Sequence, residues 1–163
     1  MEAALIWKIQ IPAKVKFFSW IVALQRCLTA DRLILKGINA NPICQMCRTS
    51  PETATHLFAT CSFAAQFWTL LLRKVNVHIN SMPHQSFLLL SEWWFDEAQR
   101  CTSNLHRDRL GVTIMLGWWH IWLKRDQRVF QSHHSSVAKL CDLAFDELLT
   151  WKLAGCKAVA SFR

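Results

Sequence analysis

Glycine and proline are scarce in this chain, four of each in 163 residues, and tyrosine is absent. So few chain breakers argue against a loop-rich fold and predict helices joined by short connections, an all-α protein. Nothing repeats at a fixed period and no segment is of low complexity. The longest apolar stretch, Gly111 to Leu123, is too short to span a bilayer and is bracketed by Arg109 and Lys124. It reads as a buried helix, and no membrane partner is expected. The opening Met1-Glu2-Ala3-Ala4 lacks the basic start of a secretory signal. A reducing intracellular compartment follows, with nucleus and cytoplasm both fitting, and with Cys27, Cys101, Cys141 and Cys156 as free thiols. The phosphate loop G-x-x-x-x-G-K-[ST], the dinucleotide fingerprint G-x-G-x-x-G, H-E-x-x-H and G-x-S-x-G are all missing, so no small-molecule substrate is expected.

What the chain does have is apolar mass and positive charge. It is 52% apolar with nine Trp and ten Phe, enough to fold one domain, with or without an appendage. Its net charge is +8, and it is uneven. Residues 1–75 carry nine Lys/Arg against three Asp/Glu, +6; residues 76–163 carry ten against eight, +2. Excess positive charge in the first half suits a module that meets phosphate.

The most informative stretch runs from Ile43 to Cys61. Cys44, Cys47, His56 and Cys61 form the pattern C-x2-C-x8-H-x4-C, a Cys3His set that can close a tetrahedron around one structural zinc. Two residues between thiols make a tight turn, Pro42 stiffens its approach, and Arg48 to Pro51 returns the chain. A redox pair would follow a strand in a βαβ pattern, which the sequence does not contain. Pro42-Ile43-Cys44-Gln45-Met46-Cys47 resembles half of a zinc deaminase site, but the His-x-Glu that must precede it is missing: no histidine comes before Cys44. Other pairings are weaker: Cys101 with His106, His133 with His134, and the acidic group Asp142, Asp146 and Glu147, which reads as a solvated face.

Periodicity supplies the frame. A helix is expected from Lys14 to Arg26 with Pro12 in its first turn, its apolar face widened by Phe17, Trp20 and Leu24. Thr29 reads as the N-cap of a helix filled by Leu33, Ile34 and Leu35 and stopped at Gly37. Ser62 reads as the N-cap of a helix to Val75, and Asn76 to Pro83 as a boundary. A short helix is expected over Ser86 to Phe95 and a polar loop over Asp96 to Asn104. The longest helix is predicted over Leu105 to Phe130, its stripe traced by Leu110, Ile114, Gly117-Trp118, Ile121-Trp122 and Val129. Val137 to Leu153 is the last helix, with Leu140, Leu143, Ala144, Leu148 and Trp151 inward and Gly155 as its stop.

Ile6-Trp7, Pro12 through Trp20, Arg26 through Leu33 and Gly37-Ile38 resemble the lead-in of the plant reverse transcriptase zinc-binding domain. Cys44, Cys47, Glu52-Thr53, His56-Leu57-Phe58, Cys61, Ala64 and Phe67-Trp68 resemble its metal-binding half. The resemblance covers about residues 5–75. Further on, Trp118-Trp119 through Phe130 resembles the W-x-x-W-x-x-R-N-x-x-x-F segment near the end of plant LINE-type retrotransposon polyproteins, departing from the usual Arg-Asn around Asp126 and Gln127. The polymerase of such polyproteins needs an adjacent Asp-Asp, which this chain lacks. The resemblance thus implies a noncatalytic, C-terminal segment that holds RNA or single-stranded DNA, template or target, for a reverse transcriptase domain. Its expected division is a zinc-binding domain at 1–75, a connecting segment with a short apolar helix at 76–104, and a C-terminal helical hairpin packed on the first part at 105–163. Candidate phosphate contacts are Lys14, Lys16, Arg26, Arg32, Lys36 and Arg48.

Overall fold

A computed structural model describes residues 4–82 and 89–163. Among the described residues there are seven α-helices and no strand, only an isolated antiparallel bridge between Ile43 and Pro51. The helices are α1 (Ala4–Lys8), α2 (Ala13–Ala23), α3 (Ala30–Leu35), α4 (Ser62–Val75), α5 (Leu90–Gln99), α6 (Asn104–Gln131) and α7 (Val137–Leu153). A π-helical turn, His56–Thr60, precedes α4, and a 3-10 turn, Lys157–Val159, follows α7.

The 28-residue α6 is the axis, about 42 Å long at 1.5 Å per residue. Ser103 caps it by accepting the His106 N–H, and it buries Leu110, Ile114, Gly117, Trp118 and Ile121, the predicted stripe. Against it pack α2, α4, α5 and α7, and α4 also lies along α7. A single apolar core runs through all of them, with Phe58, Phe67, Trp68, Trp93 and Trp118 almost wholly buried. Indole N–H groups cannot be left bare there. Trp68 donates to the Phe58 carbonyl and Trp93 to the Ser81 carbonyl, each at 2.8 Å. Gly37 and Gly155, at φ +76° and +82°, end α3 and α7 in the left-handed conformation expected of them.

The helix boundaries differ from expectation in instructive places. The residues read as a polar loop, Asp96 to Asn104, are helical as far as Gln99, because Glu97 is drawn inward. Its buried carboxylate accepts four hydrogen bonds, from the backbone and side chains of Asn80 and Ser81. At the other end α5 begins at Leu90, where Glu92 reaches back to the Leu89 N–H at 3.0 Å; the expected start at Ser86, like Pro83, lies outside the described residues. Cys61, not Ser62, occupies the N-cap of α4. Thr29 does hold the N-cap position of α3, but its hydroxyl donates to Asp31, and Glu52 supplies the cap by accepting the Ala30 N–H at 2.8 Å.

Five predicted inward positions also turn out, Ile34 among them. Phe17 is 54% exposed and Leu35 82%, and Val129 and Leu143 are exposed as well. The six-residue α3 is held by its N-terminus and buries only Ala30, so its apolar second half has nothing to lie against. On α7 the buried set is the narrow stripe Leu140, Cys141, Ala144, Leu148 and Trp151, which leaves Leu143 to one side. In place of Val129, α6 buries Lys124 and Arg125.

Candidate metal centre

Two local structures position the ligand candidates. The first is a minimal hairpin over 42–52. Glu52 donates its N–H to Pro42 and Cys44 donates to Ser50, both at 2.8 Å, and Asn41 receives the Ile43 N–H at 3.0 Å. Between these rungs the chain reverses at Cys44 to Cys47, closed by the Arg48 N–H on the Cys44 carbonyl at 2.8 Å with Arg48 at φ +60°. The C-x2-C pair therefore lies on a tight turn, as its spacing predicts.

The second is the π-helical turn. Residues five apart on an α-helix point about 140° away from each other. Widening the turn, with the Cys61 N–H bonded to the His56 carbonyl at 2.7 Å, brings His56 and Cys61 round to the same side. Phe58, in the middle of that turn, plugs into the core against Trp118, Trp122 and Phe18. The ligand segment is thereby anchored to α2 and α6 by its own side chain.

The four donor atoms lie within 4.8 Å of one another. Cys44 Sγ and Cys61 Sγ are 4.0 Å apart, and Cys47 Sγ is 3.3 Å from His56 Nε2. Tetrahedral zinc, with bonds of about 2.3 Å to sulfur and 2.0–2.1 Å to nitrogen, would set these edges at about 3.8 and 3.6 Å. The residues present fit the ion. Among the described residues this is the one cluster of three or more Cys, His, Asp or Glu side chains that could hold a metal. Cys101 and His106 instead find the carbonyls of Glu97 and His78. The acidic trio also divides: Asp142 pairs with Lys74, and Glu147 turns inward to His120 at 2.7 Å.

The electrostatics are those of ligands ready to shed protons. Cys44 and Cys61 share one proton: the Cys44 thiol donates to Cys61, which raises Cys44 and holds Cys61 at about 4. His56 and the Phe63 and Ala64 amides at the start of α4 favour the Cys61 thiolate further. Burial works against ionising Cys47, but the Thr49 hydroxyl at 3.3 Å, the Thr49 amide and His56 outweigh it and pull its pKa down. The Cys61 thiolate, ahead of Cys47, raises the His56 pKa against the effect of its burial. Thr60 Oγ1 sits 3.5 Å from His56 Nδ1 and steadies the ring from the side away from the sulfurs. With all four corners taken by protein, such a site organises structure and leaves no position for a substrate.

Three residues that spacing alone did not single out lock this centre onto α6. Arg125 forks onto the Glu52 carboxylate, with Nη2 at 2.7 Å and Nε at 3.2 Å, and both side chains are almost completely buried. Arg128 donates Nη1 to the Gln45 and Met46 carbonyls, at 3.2 and 2.7 Å, inside the C-x2-C turn. A signal did exist: Ile114, Trp118, Ile121, Arg125 and Arg128 recur at intervals of four and three, so the cations continue the buried stripe.

The basic residues chosen from sequence are distributed over α2 (Lys14, Lys16), the connection after it (Arg26), α3 and its C-cap (Arg32, Lys36) and the hairpin (Arg48). Lys14 lies over the Trp119 ring at 5.3 Å, and Lys16 reaches the Trp7 carbonyl at 3.4 Å. Arg26 and Lys36 are exposed and Arg32 is half-buried. Only Arg48 touches the metal hairpin, where it meets His134 across the connection between α6 and α7 at 3.3 Å.

Comparison with known proteins gives two matches. An Arabidopsis thaliana protein carrying the name of ribonuclease H is 25% identical over 118 residues, covering 69% of this chain and 18% of the relative. The chain therefore spans less than a fifth of the length of that relative. No solved structure matches. The family described as zinc-binding in reverse transcriptase matches residues 1–68, the segment that brings Cys44, Cys47, His56 and Cys61 together.

Proposed function

We propose that the chain is a noncatalytic zinc-binding module of a retroelement-derived protein, and that it holds RNA or DNA, as template or target, for a reverse transcriptase. The observation that carries this reading is the convergence of a coordinatively closed Cys3His set inside the segment that matches the reverse transcriptase family. Cys44, Cys47, His56 and Cys61 bind one structural zinc, whose role is to fix the hairpin and the start of α4. The unit at 1–75 works with the hairpin of α6 and α7 packed on it. Phosphate contacts come from Lys14, Lys16, Arg26, Arg32, Lys36 and Arg48, in keeping with the +6 balance of residues 1–75. The test is binding of single-stranded RNA by the zinc-loaded protein across a salt series, with and without Cys47→Ser. Binding that weakens steeply with salt and is lost in the variant is expected; no binding at low salt, or a flat salt dependence, would refute it.

A second reading, a structural or protein-interaction domain without nucleic-acid activity, draws on the apolar surface around α3. Leu33, Ile38, Val129 and Phe130 line a groove of about 530 Å³ there, and Phe130 is 75% exposed. Concentration-dependent self-association without nucleic acid, abolished by Phe130→Ser, would favour it.

A further inference from the structure

Where α6 ends, positive charge gathers beside the metal hairpin with no ion-pair partner among the described residues. Lys124 is 1% exposed, yet among the described residues its ammonium makes a single hydrogen bond, to the His133 carbonyl at 3.2 Å. Arg128 lies over the Phe63 ring and spends Nη1 on two carbonyls; its Nε is buried without a partner. Arg48 comes from the hairpin, and among the described residues its guanidinium meets only the His134 ring. Among the described residues, no carboxylate lies within ion-pair distance of Lys124, Arg128 or Arg48, whereas Lys74, Arg100 and Arg125 all have one.

Burying charge without a counter-ion is costly, and buried cations are ordinarily paired. The stress is visible in the group itself: burial, and after it the Arg128 charge, push the Lys124 pKa down. Loading the zinc site offsets part of the excess. Zinc with three thiolates and a neutral imidazole carries a net −1, which leaves three cations with an uncompensated +2. A dianion or a run of monoanions is the missing complement. The Nη2 group of Arg128 and the outer edge of Arg48 are donors with no carboxylate to meet, and a guanidinium pair is suited to the oxygens of a phosphate.

We propose that Arg48 and Arg128, backed by Lys124, form a phosphate-binding site for the backbone of a single-stranded nucleic acid, bridging the metal hairpin and the connection between α6 and α7. This deepens the nucleic-acid reading above and rests on it. It also changes where the strand runs, because two of the three cations lie on α6 and not on the basic helices of the first half.

The test is fluorescence anisotropy of a labelled 20-nucleotide homopolymer RNA with the zinc-loaded full chain, between 50 and 200 mM salt. Each single-strand phosphate contact contributes about 0.7 to the slope of log K against log salt. Arg48→Gln, an exposed position, is expected to reduce the slope by about 0.7, and Arg48→Gln/Arg128→Gln by about 1.4. Lys157→Gln, outside the junction, should leave it unchanged. If the double variant loses zinc or helicity, the single variant decides. Binding by the wild type with the same slope in Arg48→Gln overturns this site while leaving the nucleic-acid reading intact. No binding by the wild type overturns both. Loss of the difference between wild type and variant in millimolar inorganic phosphate, with RNA still bound, would assign the site to free phosphate and overturn the backbone assignment.

Discussion

Cys61 works in two structures at once. It closes the π-helical turn that aligns it with His56, and it occupies the N-cap of α4, where amides favour its thiolate. Cys44 lends it a proton in the metal-free chain. Zinc must displace that proton and any proton on His56, so acid and metal compete for the same atoms. Because the His56 pKa is raised, this competition begins above the ordinary imidazole range. Zinc retention is therefore expected to fall as pH is lowered from 8 to 5, measured by competition with a chromophoric chelator; a pH-independent affinity would contradict it. In the metal-free protein the sign for His56 is opposite. A raised folded pKa means its stabilising contribution is complete below the unfolded value and is lost as pH rises through the folded one.

The four ligand positions were readable because metal chemistry restricts residue type and spacing so tightly. The pairing of Arg125 with Glu52 was not, since a buried ion pair looks like two ordinary surface charges until the tertiary fold brings its partners together. Removing one partner leaves the other buried and bare, at a cost of about 3–5 kcal/mol. Arg125→Met should show that loss in urea denaturation, and Glu52→Gln/Arg125→Met should recover much of it. Equal losses in the single and double variants would mean the pair does not act as a pair.

At the level of elements, α6 is a spine whose two ends do different things. Its first half is apolar and packs on α4 and α5, close enough that a methyl group on Gly117 would overlap the Trp68 ring. Gly117→Ala is expected to destabilise the fold by about 1–3 kcal/mol, read as a lower denaturation midpoint, because both backbone and ring are held. An unchanged midpoint would mean that Trp68 has room to move. The second half of α6 turns polar yet stays buried through Arg125 and reaches the metal hairpin with Arg128. Periodicity located α2, α6 and α7 to within a few residues. It failed for α5, where burial of Glu97 depends on the Asn80 and Ser81 amides that only the tertiary fold brings there. It also overfilled α3, whose apolar residues Ile34 and Leu35 face outward.

In the whole molecule the metal centre is not a detachable finger. Phe58 carries it into the aromatic core, Glu52 ties it to both α3 and α6, and Arg128 holds its tightest turn. Among the described residues no helix is long and apolar enough to cross a membrane. The loss of zinc should accordingly be felt well beyond the hairpin. Metal removal with a chelator is expected to lower the thermal midpoint of the entire helical signal in one cooperative transition; a midpoint that does not move would mean that the ion organises nothing outside its own loop.

The central claim is that Cys44, Cys47, His56 and Cys61 hold one structural zinc, and mass spectrometry under native conditions tests it most directly. The account predicts one zinc per chain in the wild type, none in Cys47→Ser/Cys61→Ser, and full retention in Cys101→Ser/His106→Ala. A wild-type chain without zinc, or a double ligand variant that keeps it, would contradict the account at its root.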